Sequence, residues 1–178
     1  MSILIKKIVL DAGHGGFDTG SVYGDRIEKD DTLLITLAVG KKLKDMGFEV
    51  SFLRTKDKNL TGISRANIAN AEGGDFFVSF HRNISPVPNT YSGVLSYINI
   101  EGGIEQQIAE NIHANLGTIG YSDLGLMVRN EFVELNNTIM PSLLMEIGFM
   151  NTDIDNHIWD NNMDEVAKLI ADSFNVLK

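Results

Sequence analysis

The stretch Phe76-Phe77-Val78-Ser79-Phe80 is apolar at nearly every position, as expected of a central strand covered on both faces. Such a strand needs helices above and below it, and the rest of the chain supplies them. Strand-like and helix-like segments alternate along the whole length, the pattern of an α/β layer fold. Ile3–Leu10 reads as a first strand and leads into a glycine-rich loop through Gly24. The spacing of Ile35, Val39, Leu43 and Met46 predicts a helix from Glu28 to Met46, with Gly47 placed to stop it. Phe48–Arg54 alternates as a second strand, and Thr61 or Ser64 is placed to cap a short helix holding Ile63, Ile68 and Ala69. Gly93–Ile100 reads as a strand, Glu105–Leu116 as a helix and Ser142–Glu146 as a short strand. Asp164–Leu177 closes the chain with Val166, Ala167, Ile170, Phe174 and Leu177 on one apolar stripe. The expected fold is one α/β domain over residues 1–178, a three-layer arrangement with a twisted, mostly parallel central sheet flanked by helices.

Composition narrows the chemistry. A chain of 178 residues with 43% hydrophobic and 22% charged residues is long enough to bury a core without staples. It has no cysteine, which excludes disulfides, Cys-ligated zinc, iron–sulfur clusters and thiol catalysis. Lys+Arg 15 against Asp+Glu 24 gives a net charge of -9 and a pI near 4.8, so neither nucleic acid nor an anionic lipid surface is expected as a partner. Lys6 and Lys7 interrupt the opening apolar run and Asp11 ends it with no small-residue cleavage site behind, so no export signal and no membrane span are read there.

In parallel sheets ligands gather beyond the carboxyl ends of the strands. His14 follows the first strand within Asp11-Ala12-Gly13-His14-Gly15-Gly16, His81 directly follows Phe76–Phe80, and Glu146 ends Ser142–Glu146. Glu28 heads the long helix, where a carboxylate also suits the helix dipole. Two histidines and a carboxylate facing one crevice are candidates to hold Zn²⁺, since two His and one Glu with the fourth position left to water is a known catalytic zinc arrangement. Each residue has a plainer reading alone, and the glycine run can serve only as a tight turn. A phosphate cradle is disfavoured, because G-x-G-x-x-G spacing and a Lys-Ser/Thr pair are absent. Glu146 is the hardest to explain structurally, since an unpartnered carboxylate between apolar neighbours is costly to bury. His113, read in a helix, and His157, read in a polar loop, fall outside the constellation.

The order of these segments resembles the zinc-dependent N-acetylmuramoyl-L-alanine amidases, the amidase-3 family of cell-wall hydrolases, from Lys7 to Leu177. The family's Asp-Pro/Ala-Gly-His-Gly-Gly stands as Asp11–Gly16, its Glu-Lys as Glu28-Lys29, and its Ser-x-His-x-Asn as Ser79–Asn83. Its Pro-x-x-Leu-x-Glu-x-Gly-Phe stands as Pro141–Phe149, and Arg54-Thr55 and Arg65-Ala66-Asn67 match its middle region. The resemblance implies that His14, Glu28 and His81 bind zinc and that Glu146 is the catalytic general base and then acid. It also implies hydrolysis of the amide between N-acetylmuramic acid and the L-alanine of the stem peptide. Asp11 or Asn83 is expected to orient a ligand, and Arg65, Arg82 and Arg129 to fork onto stem-peptide carboxylates. Arg82 departs from the small or apolar residue usual at its position and is expected at the cleft rim. No room is seen for the extra helix that plugs the site in some regulated relatives.

Two other functions compete with this reading: a zinc peptidase cutting within the peptide part of peptidoglycan, and a non-catalytic wall-binding module. The expected setting is the catalytic domain of a phage endolysin, with a sporulation or autolytic amidase as alternatives. It would be made in the bacterial cytoplasm and act at the cell wall after release. Peptidoglycan is the expected partner and a monomer the expected state, with wall attachment left to a separate binding domain.

Overall fold

The computed structural model describes residues 5–129 and 131–177. In chain order the elements are β1 (Lys7–Ala12), β2 (Val22–Tyr23), β3 (Arg26–Ile27), α1 (Glu28–Asp45), β4 (Glu49–Phe52), α2 (Gly62–Glu72) and β5 (Phe76–Asn83). They continue with β6 (Val94–Ile98), α3 (Ile104–Gly117), β7 (Asp123–Val128), α4 (Val133–Asn136), β8 (Ser142–Phe149) and α5 (Asp153–Asp172), then a 3₁₀ turn over Ser173–Leu177. Ile3 and Leu4 of the expected first strand, and the Leu177 side chain of the closing stripe, lie outside the described residues.

Six strands form one sheet in the order β4-β1-β5-β8-β6-β7, and β2 pairs with β3 apart from it. The pairings β1–β4, β1–β5, β5–β8 and β6–β7 are parallel and β6–β8 is antiparallel, so the sheet is mostly parallel, as expected. Side chains alternate between the two faces of a strand, and the core divides accordingly. Ile8, Leu10, Phe76, Val78, Phe80, Leu143, Met145 and Ile147 join residues of α1, α3 and α5 in the larger cluster. Val9, Phe77 and Leu144 turn the other way and pack with Ala69 of α2 and Leu135 of α4. Phe76, Phe77 and Phe80 are fully buried, and each such side chain contributes roughly 1.5–3 kcal/mol of transfer free energy. This is the two-sided covering that the apolar run demanded.

Several boundaries differ from the sequence reading. β5 runs on to Asn83 and β8 to Phe149, so His81, expected just past its strand, and Glu146, expected as the last residue of its strand, both lie inside strands. The closing helix begins at Asp153, eleven residues early, and carries a non-helical residue at Asn162. That break interrupts the apolar stripe, so only the half beyond it shows clean periodicity. His157 therefore sits exposed on α5 and not in a loop. β7 is an edge strand with largely exposed side chains, and α4 has four residues; neither leaves a period to read. Among the described residues no helix is long and apolar enough to cross a membrane.

Candidate metal centre

The face of the sheet toward α2 and α4 carries the polar residues. Asp11 is two residues from Val9, Ser79 and His81 are two and four from Phe77, and Glu146 is two from Leu144, so all four point the same way. The register sets them side by side, with Asp11 opposite Ser79 and His81 opposite Glu146. Strand pairing alone thus brings a histidine and a glutamate 65 positions apart into contact range.

His14 arrives from the loop after β1. That loop folds back on itself through a bridge between Gly15 and Asp18, and His14 holds a positive φ of 61°. Two glycines make the room. A Cβ at Gly13 would stand 2.3 Å from the His81 ring, and one at Gly20 would stand 2.5 Å from His14 and 2.6 Å from Glu28. Glu28 enters from the first residue of α1 and is 3% exposed. Its Oε2 accepts from the Ser21 amide at 2.9 Å and its Oε1 from the Arg82 amide at 3.1 Å.

Three donor atoms converge. His14 Nε2 lies 3.0 Å from Glu28 Oε1, His81 Nδ1 lies 3.1 Å from the same oxygen, and the two ring nitrogens are 3.2 Å apart. Two atoms that each bind zinc at roughly 2.1 Å with a tetrahedral angle between them stand roughly 3.4 Å apart. The donor set and its spacing fit one such ion. Without an ion the cluster is a proton-sharing one: burial opposes the charge on Glu28, but hydrogen bonds from His14 and His81 overcome it and hold the carboxyl far below the usual range. For His81, burial pulls the ring down, yet Glu28 and the neighbouring carboxylates lift it to about 9.

Glu146 sits beside this cluster without joining it. Its Oε2 is buried and has no hydrogen-bond partner among the described residues, and burial pushes the carboxyl up to about 7 against the pull of His81. A carboxyl with that affinity can take and return a proton near neutral pH. Sequence reasoning missed Asp18, whose two oxygens both lie 3.0 Å from His14 Nδ1. A carboxylate there fixes the ring's tautomer and leaves Nε2 free to bind. The signal was available in His14 and Asp18 standing four apart within one glycine-rich loop.

The other expected residues have different work. Asp11 touches neither histidine. It is fully buried and accepts from Arg65 and, at 2.8 Å, from Ser79. Arg65 is 5% exposed and also donates to the Ala12 and His14 carbonyls at 2.8 and 2.6 Å, so its guanidinium is committed to the His14 loop and is not an open fork for a substrate carboxylate. Arg82 points to the opposite face of the sheet, because it neighbours His81 in a strand. It is 1% exposed, pairs with Asp31 at 2.8 Å and lies over the Trp159 ring at 4.1 Å, away from the rim. Asn83 Oδ1 accepts from the Ile84 amide at 2.8 Å and lines the cleft without bonding a ring nitrogen. Arg129 is exposed, pairs with Glu131 at 3.3 Å and lines neither hollow of the cleft. His113 is buried, 2.8 Å from Ser96 and 2.6 Å from Asp123. This serine–histidine–aspartate chain ties α3, β6 and β7 together, but Ser96 is fully buried and no substrate can reach it.

A family model described as N-acetylmuramoyl-L-alanine amidase matches residues 8–175. The chain belongs to this amidase family. Its expected enzyme class is therefore that of the family. The endolysin of Bacillus phage SPP1 is 34% identical over 178 residues, covering 95% of this chain and 60% of that protein. The sporulation-specific N-acetylmuramoyl-L-alanine amidase of Bacillus subtilis (strain 168) is 36% identical over 150 residues, covering 82% of this chain and 57% of that protein. The chain thus spans less than two thirds of the length of both relatives. Among solved structures, the catalytic domain of the amidase CwlV from Bacillus (Paenibacillus) polymyxa var. colistinus superposes with a TM-score of 0.86, 28% identity and 97% coverage of each chain. The N-acetylmuramoyl-L-alanine amidase from Clostridium difficile 630 gives a TM-score of 0.85 at 28% identity, covering 96% of this chain and 95% of that one.

Proposed function

We propose that residues 1–178 form one catalytic domain that hydrolyses the amide between N-acetylmuramic acid and L-alanine in peptidoglycan, with His14, Glu28 and His81 holding zinc. The carrying observation is the convergence of three donor atoms within 3.2 Å beside the unpartnered Glu146 oxygen. Zinc, when bound, supplies Lewis acidity toward the carbonyl and acidifies a water. Asp18 keeps His14 in the tautomer that presents Nε2 to the ion. Glu146 takes a proton from the attacking water and passes it to the departing nitrogen of L-alanine. A carboxylate remains on the lactyl group and a free amine on the stem peptide. Wall attachment is assigned to a separate binding domain, because a net charge of -9 repels anionic wall polymers. By likeness to the SPP1 endolysin, the setting is lysis of the bacterial wall.

The test is zinc content and clearing of a bacterial cell-wall suspension, with mass spectrometry of the products. Glu146→Ala should keep zinc and the fold and lose nearly all activity, while His81→Ala should lose both metal and activity. Stem peptides beginning with L-alanine support the amidase; internal cuts in the peptide indicate a peptidase on the same metal site. Wild-type clearing by Glu146→Ala would sink the mechanism.

A further inference from the structure

The cleft consists of two adjoining hollows of about 380 and 570 Å³, and His14, His81 and Glu134 line both. Two arginines also line it, Arg65 in the first and Arg82 in the second, but both guanidinium groups are buried in ion pairs with Asp11 and Asp31. Of the carboxylates there, Asp18 and Glu28 are engaged with the histidines and Glu146 faces the cluster. Glu134 is different. It makes no hydrogen bond or ion pair among the described residues, yet it stands between the two hollows.

Its position is fixed rather than draped. Leu135, the next residue, is fully buried in the smaller core, and Phe132 packs on Tyr97 with ring centroids 4.7 Å apart. Gly62, the first residue of α2, keeps the seat clear, since a Cβ there would stand 3.1 Å from Val133 and 3.2 Å from Glu134 Oε2. The amino end of α2 favours a negative charge at that point.

We propose that Glu134 is a substrate-binding carboxylate that selects a primary ammonium carried by the peptidoglycan substrate. This rests on the amidase reading and specifies its substrate class. The groove's disengaged charge is negative, so it repels a stem carboxylate and attracts an ammonium, the reverse of the recognition expected from Arg65 and Arg82. Two parts of peptidoglycan carry that group: the side chain of a diamino acid in the stem peptide, and a glucosamine lacking its acetyl group.

The test uses the zinc-loaded chain and three muropeptides: one with the stem amine free, one with that amine acetylated, and one whose sole free amine is on the glucosamine. The expected result is a preference for a free amine over the fully acetylated form of roughly tenfold or more in kcat/KM, carried by KM. That ratio falls to about one in Glu134→Gln and inverts in Glu134→Lys. Which amine confers the preference identifies its source. Calorimetric binding of the same three muropeptides to the inactive Glu146→Ala variant reads the same ratio without catalysis. Equal affinity for all three muropeptides, or a preference that survives in both variants, overturns the role of Glu134. Absence of cleavage with the binding preference intact overturns the amidase reading instead.

Discussion

Arg65 distinguishes a residue that holds the site from one that binds the substrate. Arg65→Met keeps most of the apolar stem and removes the guanidinium. Asp11, fully buried, then retains only the Ser79 hydroxyl at 2.8 Å, and the Ala12 and His14 carbonyls each lose a donor. Breaking a buried ion pair by removing one partner costs about 3–5 kcal/mol. For a chain of this length each kcal/mol lowers the melting temperature by about 2–4 °C, so a fall of about 6–20 °C is expected.

Because the lost contacts end on the loop that carries His14, zinc affinity should fall along with stability. Adding Asp11→Asn removes the uncompensated charge while leaving an oxygen for Ser79, so the double variant should be less destabilised than the sum of the two single ones. Calorimetric melting of the four proteins measures the coupling. A melting temperature for Arg65→Met within 2 °C of wild type, combined with a tenfold rise in KM, would refute the reasoning and return Arg65 to the substrate.

Two other outcomes follow from the geometry. Asp18→Asn keeps the shape beside His14 but removes the charge-assisted contact to Nδ1, and zinc affinity measured by chelator competition should drop roughly 10- to 100-fold; unchanged affinity would show that the ring is held by other means. Glu146 has its folded pKa raised to about 7 from an ordinary 4.5, so the stability it contributes is full below about 4.5 and is lost as pH rises through about 7. In chelator-treated protein, Glu146→Gln should therefore melt above wild type at pH 8, with the gap closing toward pH 5, and a gap that widens in acid contradicts the burial argument.

Much of this was legible because strands announce themselves by composition. Phe76–Phe80 could only be a doubly covered strand, and it fixed the layers; the residues just beyond such runs then included His14, His81 and Glu146. What escaped was set by contacts distant in sequence. Asp31 lies 51 positions from Arg82, and nothing local to either residue predicts the pairing. Glu134 sits on a four-residue helix with no period to detect. Strand parity, however, was available: adjacent residues of a strand face opposite ways, so the side chains of His81 and Arg82 could not both point into one cleft.

That separation explains what the buried arginines do. His14, Glu28 and His81 come from a loop, a helix and a strand, and their donor atoms must hold within tenths of an ångström for one ion to bind all three. Arg65 ties α2 to the His14 loop through two of its carbonyls and Asp11. Arg54 donates to the Ala12 and Gly13 carbonyls at 2.9 Å and to the Lys29 carbonyl at 2.8 Å, joining the same loop to the start of α1 beside Glu28. Arg82 pairs with Asp31 of α1 and Asn156 of α5 and bonds the Ile147 carbonyl of β8, while its own amide holds Glu28 Oε1. One residue thus fixes the helix bearing Glu28 against the strand bearing His81 and the strand bearing Glu146. The chain uses these three guanidinium groups to preorganise the residues of its candidate metal centre, which leaves the cleft's own charge negative and, on the proposal above, its choice of substrate to the carboxylate of Glu134.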